Sequence, residues 1–296
     1  MNVGVVLPTM TARGELPGDV PAAARRAEDL GFESVWVVDQ LVAGSGVPVL
    51  DSLMSLAAAA AVTERVRLGL GVLVVPLRPV VWVAKQVASL QHLSGDRVLL
   101  GIGAGGDRHE QSWLATDVPR RERGRRTDEA LRLLPDLIAG KSTRLRQTEI
   151  QLSPPATVPP IIIGGVSDAA LRRAATYGDG WYLLGTPEQI PAQIARVREL
   201  AEAQGRPRPE ITTNVMVAIA GDPSLPDRAT MLRTLTDPDG LFGLPAEFAE
   251  NAVVAGEPAV IAEHLSRLAA GGVDRVVVSF VGGDWRRQAE LLAQAV

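Results

Sequence analysis

The stretch RVLLGIG at residues 97–103 is an unbroken apolar run, and the glycine-rich sequence AGG at residues 104–106 follows it directly. Unbroken runs of Val, Leu and Ile are typical of a strand that is buried on both faces. Seven more runs of this kind are each followed by an amphipathic helical stretch, at residues 3–7, 34–38, 67–73, 160–163, 180–184, 212–219 and 275–280. Helical connections make successive strands parallel, so the eight units predict a closed (β/α)8 TIM barrel.

Two long insertions interrupt this pattern, at residues 106–120 after the fourth strand and at residues 221–257 after the seventh. Both follow the carboxyl ends of strands, where enzymes of this fold keep their active sites. Loops of this length in a compact domain are usually functional, so we expect two walls over one cleft. A short helix is expected near residues 245–252. The segment 141–160 follows the fourth helix at the opposite end, and residues 144–152 could form a small hairpin there.

The composition narrows the class of protein. With 296 residues, of which 46% are hydrophobic, the chain is sufficient for a single barrel domain over residues 1–296. A net charge of -4 gives no basic surface for nucleic acid. The absence of cysteine excludes disulfides and cysteine nucleophiles, and no histidine spacing predicts a metal site. No signal peptide or membrane-spanning stretch is visible, so we expect a cytoplasmic protein with no membrane partner.

Glycines and a capping residue join the fifth strand to the next helix. Gly164, Gly165 and Val166 precede Ser167, which is placed to cap the helix. Such a helix start offers free N–H groups to a phosphate, although glycine followed by serine also forms ordinary tight turns. The residues at 185–186 would add a second set of donors after the sixth strand. The arginine-rich run at 120–126 could hold an anionic tail, but it is also typical of a solvated helix face.

Few side chains at the strand ends can carry protons. Asp39 ends the second strand, where a functional acid is expected, although a helix cap or a salt bridge would explain it equally well. The adjacent Gln40 can form hydrogen bonds but cannot transfer protons. Among the histidines, His92 and His264 fall within outer helices. His109, in the first insertion, is therefore the one histidine that we consider as an acid or a base.

Several segments carry a family resemblance in the correct order along nearly the whole chain. They are VVLP at 5–8, AEDLGFESVW at 27–36, Asp39, TERVRLG at 63–69, LQHLS at 90–94, LGIGAG at 100–105, PIIIGG at 160–165, GDGW at 178–181 and AGGVD at 270–274. Together they resemble the bacterial luciferase-like monooxygenase superfamily, especially its coenzyme F420-dependent branch. Each motif is degenerate, but their joint order is specific.

The resemblance implies a deazaflavin (F420) or a flavin (FMN) across the strand ends, with its phosphate near the loops after strands five and six. It also implies a non-prolyl cis peptide bond at Gly71-Val72, behind the ring, and a homodimer. The implied cofactor-binding residues are Asp39, Gly71, Val72, Gly103, Ala104, Gly105, Gly106, Gly164, Gly165, Val166, Gly185 and Thr186. The candidates for catalysis are Asp39, Gln40, His109 and Glu110, the last because it matches a glutamate or polar position in the family.

One departure from the family pattern bears on the reaction. F420-dependent dehydrogenases of this group have a histidine after the strand-two aspartate, whereas this chain has Gln40. We therefore expect hydride transfer between C5 of F420 and a small substrate with an activated C=C or C=N bond rather than an alcohol. An FMN-dependent monooxygenase that uses O2 and a catalytically silent cofactor-binding relative remain alternatives. A Schiff-base isomerase or lyase is disfavoured, because Lys85 and Lys141 are the only lysines and neither ends a strand.

Overall fold

The computed structural model describes residues 1–296 except 45, 107–109, 187, 239 and 241–242. The strands are β1 (Asn2–Val6), β2 (Ser34–Val37), β3 (Arg67–Leu70), β4 (Leu73–Val74), β5 (Val98–Gly103), β6 (Thr143–Leu145), β7 (Thr148–Ile150), β8 (Ile161–Gly164), β9 (Gly180–Leu183), β10 (Glu210–Ile219), β11 (Val253–Gly256) and β12 (Arg275–Phe280). The helices are α1 (Val20–Asp29), α2 (Ser52–Ala60), α3 (Val80–Ser94), α4 (Glu110–Ala115), α5 (Arg123–Ile138), α6 (Asp168–Tyr177), α7 (Ile190–Glu202), α8 (Arg228–Thr236), α9 (Ala246–Ala252), α10 (Pro258–Ala270) and α11 (Trp285–Ala293).

Eight parallel strands form a closed barrel in the order β1, β2, β3, β5, β8, β9, β10 and β12. The pairings of β1 with β12 and of β9 with β10 complete the ring. Each of the eight apolar runs overlaps one of these strands, so the predicted (β/α)8 fold is confirmed. The predicted hairpin is also present, as the antiparallel pair β6 and β7.

The insertions contain more regular structure than their sequence indicates. The first contains α4, and the second contains α8, α9 and β11. Only α9 was predicted, as the short helix near residues 245–252. The strand β11 pairs with Met216–Ile219 of β10, beyond the point where β9 stops at Thr213. The second insertion is thereby joined to the carboxyl end of the barrel.

The barrel interior combines two large aromatic side chains with glycine. Trp36 of β2 and Tyr182 of β9 lie inside, 5.6 Å apart between ring centres and edge to face. Leu99, Ile162 and Val277 pack around them. A Cβ at Gly69 would overlap the Trp36 ring, so this position requires glycine for steric reasons. The interior is a packed layer rather than an open channel.

A buried ion cluster closes the amino-terminal end of the barrel. Arg275 is only 1% exposed and pairs with Glu33 at 2.9 Å and with Glu210 at 2.6 Å. Burial alone would raise the pKa of Glu33, but the hydrogen bond and charge of Arg275 outweigh burial and lower it. The cluster joins β12, β10 and the residue that precedes β2.

Within the described ranges, no helix combines the length and the apolar composition that crossing a membrane requires.

Candidate active site

The carboxyl ends of the strands surround one open mouth. Most strand residues are buried, whereas several residues at or just beyond the carboxyl ends of the strands are partly exposed. The partly exposed residues at this rim include Val6, Val38, Gln40, Gly71, Val72, Ala104, Gly105, Gly106, Gly164, Asn214, Met216 and Ser279. Most of the residues expected to contact a cofactor ring therefore lie at one end of the barrel.

Val72 lies at the centre of this group. The peptide bond between Gly71 and Val72 is cis, as the resemblance implied. A Cβ at Gly164 would come within 2.9 Å of one Val72 methyl group, and a Cβ at Gly103 within 2.5 Å of the other. Both glycines leave room for the Val72 side chain between β5 and β8. The structure thus brings Gly71, Val72, Gly103 and Gly164 together.

Asp39 is buried, and both of its carboxylate oxygens are engaged. Arg78 forms a bidentate pair with it, at 2.8 and 2.7 Å. Ser52 donates its hydroxyl and Val74 its backbone N–H, each at 2.8 Å. With four such hydrogen bonds, both carboxylate oxygens are taken up by contacts within the protein. Asp39 fixes β4, which directly follows Gly71 and Val72.

The other candidates for catalysis are less constrained. Gln40 is partly exposed beside Asp39, and Glu110 is exposed at the first position of α4. His109 lies outside the described residues. The contacts therefore do not place Glu110 beside Asp39 or the glycines.

A buried tryptophan holds the glycine loop after β5. Trp113 of α4 packs with Val74, and a Cβ at Gly105 would lie 2.8 Å from its ring. Its indole Nε1 donates to the carbonyl oxygen of Gly106 at 3.3 Å. At 4% exposure, Trp113 positions this loop from behind rather than facing a ligand.

The turn before α6 retains part of the expected phosphate-binding geometry. Ser167 caps the helix by accepting the Ala170 N–H at 3.3 Å, and residues 165–168 are exposed. The Gly165 N–H is donated to the Tyr182 carbonyl oxygen at 3.2 Å, so it is not free for a phosphate. The donors available to an anion are therefore those of the first turn of α6. Asp168, in that turn, adds a negative charge that opposes an anion.

The turn after β9 uses its polar groups internally. The Thr186 N–H donates to Gln189 Oε1 at 3.3 Å, and the Thr186 carbonyl oxygen accepts from Gln189 and Ile190. The hydrogen bond from the Thr186 side chain also lowers the pKa of Glu188. Thr186 thus stabilises the turn that leads into α7, while Gly185 remains exposed nearby.

Three polar residues on neighbouring strands were missed by the sequence analysis. Asn214 of β10 donates from Nδ2 to Ser279 Oγ of β12 at 2.8 Å and to the Val277 carbonyl oxygen at 3.0 Å. Asn214 is also hydrogen-bonded to the Tyr182 hydroxyl. Burial raises the pKa of the Tyr182 phenol well above its usual value, so it stays protonated at neutral pH. The available signal was Asn214 itself, an amide within the apolar run 212–219.

A cavity of about 1140 Å³ opens beside the ends of β1 and β12. The second insertion contributes to its wall through Ser224, Pro226 and Thr234. The opposite wall is formed by residues 8–19 and the start of α1, whereas no described residue of the first insertion lines it. The expectation that both insertions enclose one cleft is therefore wrong for this cavity, because α4 packs against the loop after β5 instead.

Comparisons with known proteins agree with this architecture. An uncharacterized protein of Mycobacterium tuberculosis is 37% identical over 171 residues, 55% of this chain and 58% of that protein. The F420-dependent glucose-6-phosphate dehydrogenase of Kineococcus radiotolerans is 30% identical over 220 residues, 70% of this chain and 65% of that enzyme. The matches thus span less than two thirds of these relatives.

Solved structures share the fold at low identity. An F420-dependent secondary alcohol dehydrogenase in complex with an F420-acetone adduct has a TM-score of 0.81 and 16% identity, covering 100% of this chain and 98% of that chain. A riboflavin lyase with modified FMN has a TM-score of 0.75 and 16% identity, covering 95% and 87%. The luciferase-like monooxygenase family matches residues 1–235. With most of its length in that match, the chain belongs to the luciferase-like monooxygenase family.

Proposed function

We propose that this protein is an F420-dependent oxidoreductase that acts on a small organic substrate. The observation that carries the proposal is the convergence of Gly71, Val72, Gly103 and Gly164 at the barrel mouth, where Gly103 and Gly164 make room for the Val72 side chain. The named relative from Kineococcus, an F420-dependent dehydrogenase, supports the choice of cofactor. When bound, F420 would supply the hydride chemistry at its C5 position.

The residues of this chain would bind and orient rather than perform redox chemistry. Val72 and the loop 104–106 would contact the ring, and the start of α6 at Ser167 would hold the phosphate. Asp39 would position β4 by accepting the Val74 N–H, and Arg78 would hold the Asp39 carboxylate in place. Since Gln40 cannot accept a proton from an alcohol, the substrate class that we propose is an activated C=C or C=N bond. His109 or Glu110 would then donate a proton.

An FMN-dependent monooxygenase is the second candidate. It is supported by the family's description and by the modified FMN in the riboflavin lyase structure. The same ring surface and phosphate turn would serve FMN equally well. A catalytically silent binding protein is a third possibility, because Gln40 replaces a base.

The deciding experiment is a fluorescence titration of the purified protein with F420 and, separately, with FMN. We expect micromolar affinity for F420 and weaker affinity for FMN. Binding of FMN alone would favour the monooxygenase, and binding of neither would overturn the proposal. Oxidation of reduced F420 by a panel of enones and imines then separates an enzyme from a silent relative, since a silent relative shows no consumption above background.

The arginine-rich start of α5 provides a prediction that separates the two cofactors. Arg125 pairs with Glu122 and Glu129, and Arg173 of α6 contacts the Gly124 carbonyl oxygen, so the start of α5 lies against α6. We expect the double variant R123E/R125E to bind F420 that carries a polyglutamate tail about three- to tenfold more weakly, because the new glutamates repel the tail at the surface. FMN affinity should change by less than about twofold, since FMN lacks the tail.

The matched control is R132E, which reverses an exposed charge further along the same helix. Equal F420 affinities for R123E/R125E and R132E would assign the arginine run to a solvated surface.

We also propose a homodimer formed through α2 and α3. Trp82 and Leu93 are 65% and 67% exposed and lie eleven residues apart, which places them on the same face of α3. Met54 on the neighbouring helix α2 is 61% exposed. Exposed apolar side chains grouped in this way are typical of a protein interface.

We expect W82R/L93R to be monomeric at micromolar concentrations by sedimentation velocity, whereas the unmodified protein is a dimer. The control F248R places the same charge at an exposed apolar position on α9. A dimer that survives W82R/L93R would exclude this interface.

A further inference from the structure

The hydrogen bonds of Asn214 fix the direction of a polar chain across the barrel mouth. The Val277 carbonyl oxygen can only accept, so the Asn214 atom that faces it must be Nδ2. The second Nδ2 hydrogen is donated to Ser279 Oγ at 2.8 Å. Ser279 therefore accepts from within the protein, and its own hydroxyl hydrogen is left to be donated elsewhere.

The Ser279 side chain lies at the edge of the 1140 Å³ cavity, which is large enough for a drug-sized molecule. Apolar groups dominate the nearby wall, including Phe280 and Trp285, whose rings meet edge to face at 5.9 Å. The Trp285 indole is held by a hydrogen bond to the Val6 carbonyl oxygen at 2.8 Å. This wall is thus rigid and suited to an apolar ligand.

The charged side chains around the cavity are of both signs, and several are committed to protein partners. Arg26 pairs with Glu290 through Nη2 at 2.6 Å, whereas its buried Nε has no hydrogen-bond partner among the described residues. Asp19 caps α1, and Asp284 caps α11. The described residues that line the cavity include four acids (Glu15, Asp19, Asp29 and Asp284) and three arginines (Arg25, Arg26 and Arg286), so neither sign of charge predominates. A neutral ligand fits this distribution better.

A second polar group in the cavity wall lacks a partner. Thr9 is fully buried, and its Oγ1 has no hydrogen-bond partner among the residues that the structure describes. Because Thr9 has no exposed surface, a molecule in the cavity would reach this hydroxyl only if the wall shifted. This observation is independent of the Asn214 chain.

We infer that the cavity beside β1 and β12 binds a neutral, largely apolar molecule that carries a carbonyl or imine group, and that Ser279 donates a hydrogen bond to that group. Asn214 is a positioning residue, since it holds Ser279 in the donating orientation. The cavity is a substrate site only if the proposed oxidoreductase function is correct, and in that case the inference names the substrate class. Binding in the cavity can nevertheless be measured without any cofactor.

The test uses acedan, a neutral naphthalene with a dimethylamino and an acetyl group, together with the same compound lacking the acetyl group. We expect acedan to bind the unmodified protein saturably, with increased and blue-shifted emission. Ser279→Ala should weaken acedan binding about five- to tenfold, which is the usual effect of losing one hydrogen bond. Ser279→Thr, which keeps the hydroxyl, should stay within about twofold of the unmodified protein.

The compound without the acetyl group should bind Ser279→Ala and the unmodified protein equally, which a merely structural effect would not produce. Ser266→Ala, at an exposed position of α10, controls for the loss of a serine hydroxyl elsewhere. No saturable binding of acedan, or an equal loss for both compounds, would overturn the inference. Cofactor titrations are carried out separately. F420 binding without acedan binding would support the proposed function and overturn this inference, whereas acedan binding without F420 binding would do the opposite.

Discussion

Replacing Arg275 with methionine is expected to lower the free energy of unfolding by about 3 kcal/mol. The substitution keeps the apolar stem but removes the guanidinium that pairs with Glu33 and Glu210. Two carboxylates would then face each other at the closed end of the barrel without a cation between them. Removing one partner of a buried pair costs about 3–5 kcal/mol, and we expect the lower end because both acids retain some exposure.

The measurement is urea denaturation followed by circular dichroism at neutral pH. The matched control is the triple variant E33Q/E210Q/R275M, which removes all three charges together. The triple variant leaves no unpaired carboxylate, although the neighbouring Arg67 loses both acids, so we expect it to recover part of the lost stability. A single R275M variant as stable as the unmodified protein would mean that the cluster does not contribute to folding.

Replacing Ser167 with aspartate is expected to weaken the binding of both F420 and FMN by about 10- to 150-fold. Aspartate is as good a helix cap as serine, so α6 should remain intact. Its charge would lie about 5 Å from a phosphate at the start of α6, and repulsion there corresponds to about 1.5–3 kcal/mol. The effect should diminish in high salt because exposed charges are screened.

The control is Ser167→Asn, which also caps helices but carries no charge. We expect its affinity for both cofactors to stay within about threefold of the unmodified protein. Thermal unfolding of both variants checks that the fold is unchanged. Equal cofactor affinities of the aspartate and asparagine variants would place the phosphate elsewhere on the rim.

The barrel was predictable because its strands are buried on both faces. An unbroken run such as 97–103 carries that information locally. The elements that were missed lack such a signal. In α8 only Leu235 is buried, and β11 is a short edge strand of four partly or fully exposed residues. Both depend on contacts with the barrel rather than on their own pattern.

The site was predictable only where glycine or a helix cap indicated it. Gly71, Gly103 and Gly164 were expected at the mouth, and the steric contacts of Gly103 and Gly164 with Val72 agree with that expectation. The partner of Asp39 was not predictable, because Arg78 lies 39 residues away and the pairing depends on packing. The same holds for Asn214 and Ser279, which are 65 residues apart on neighbouring strands. Long-range polar pairs leave no periodic trace in the sequence.

The packed layer of Trp36 and Tyr182, with the ion cluster of Arg275 beyond it, has a kinetic consequence. The amino-terminal end of the lumen is closed, so any small molecule that binds at the barrel mouth must enter and leave past the carboxyl ends of the strands. The molecule that binds deepest in the mouth would dissociate last. Steady-state inhibition patterns would then be those of an ordered sequence rather than of independent access.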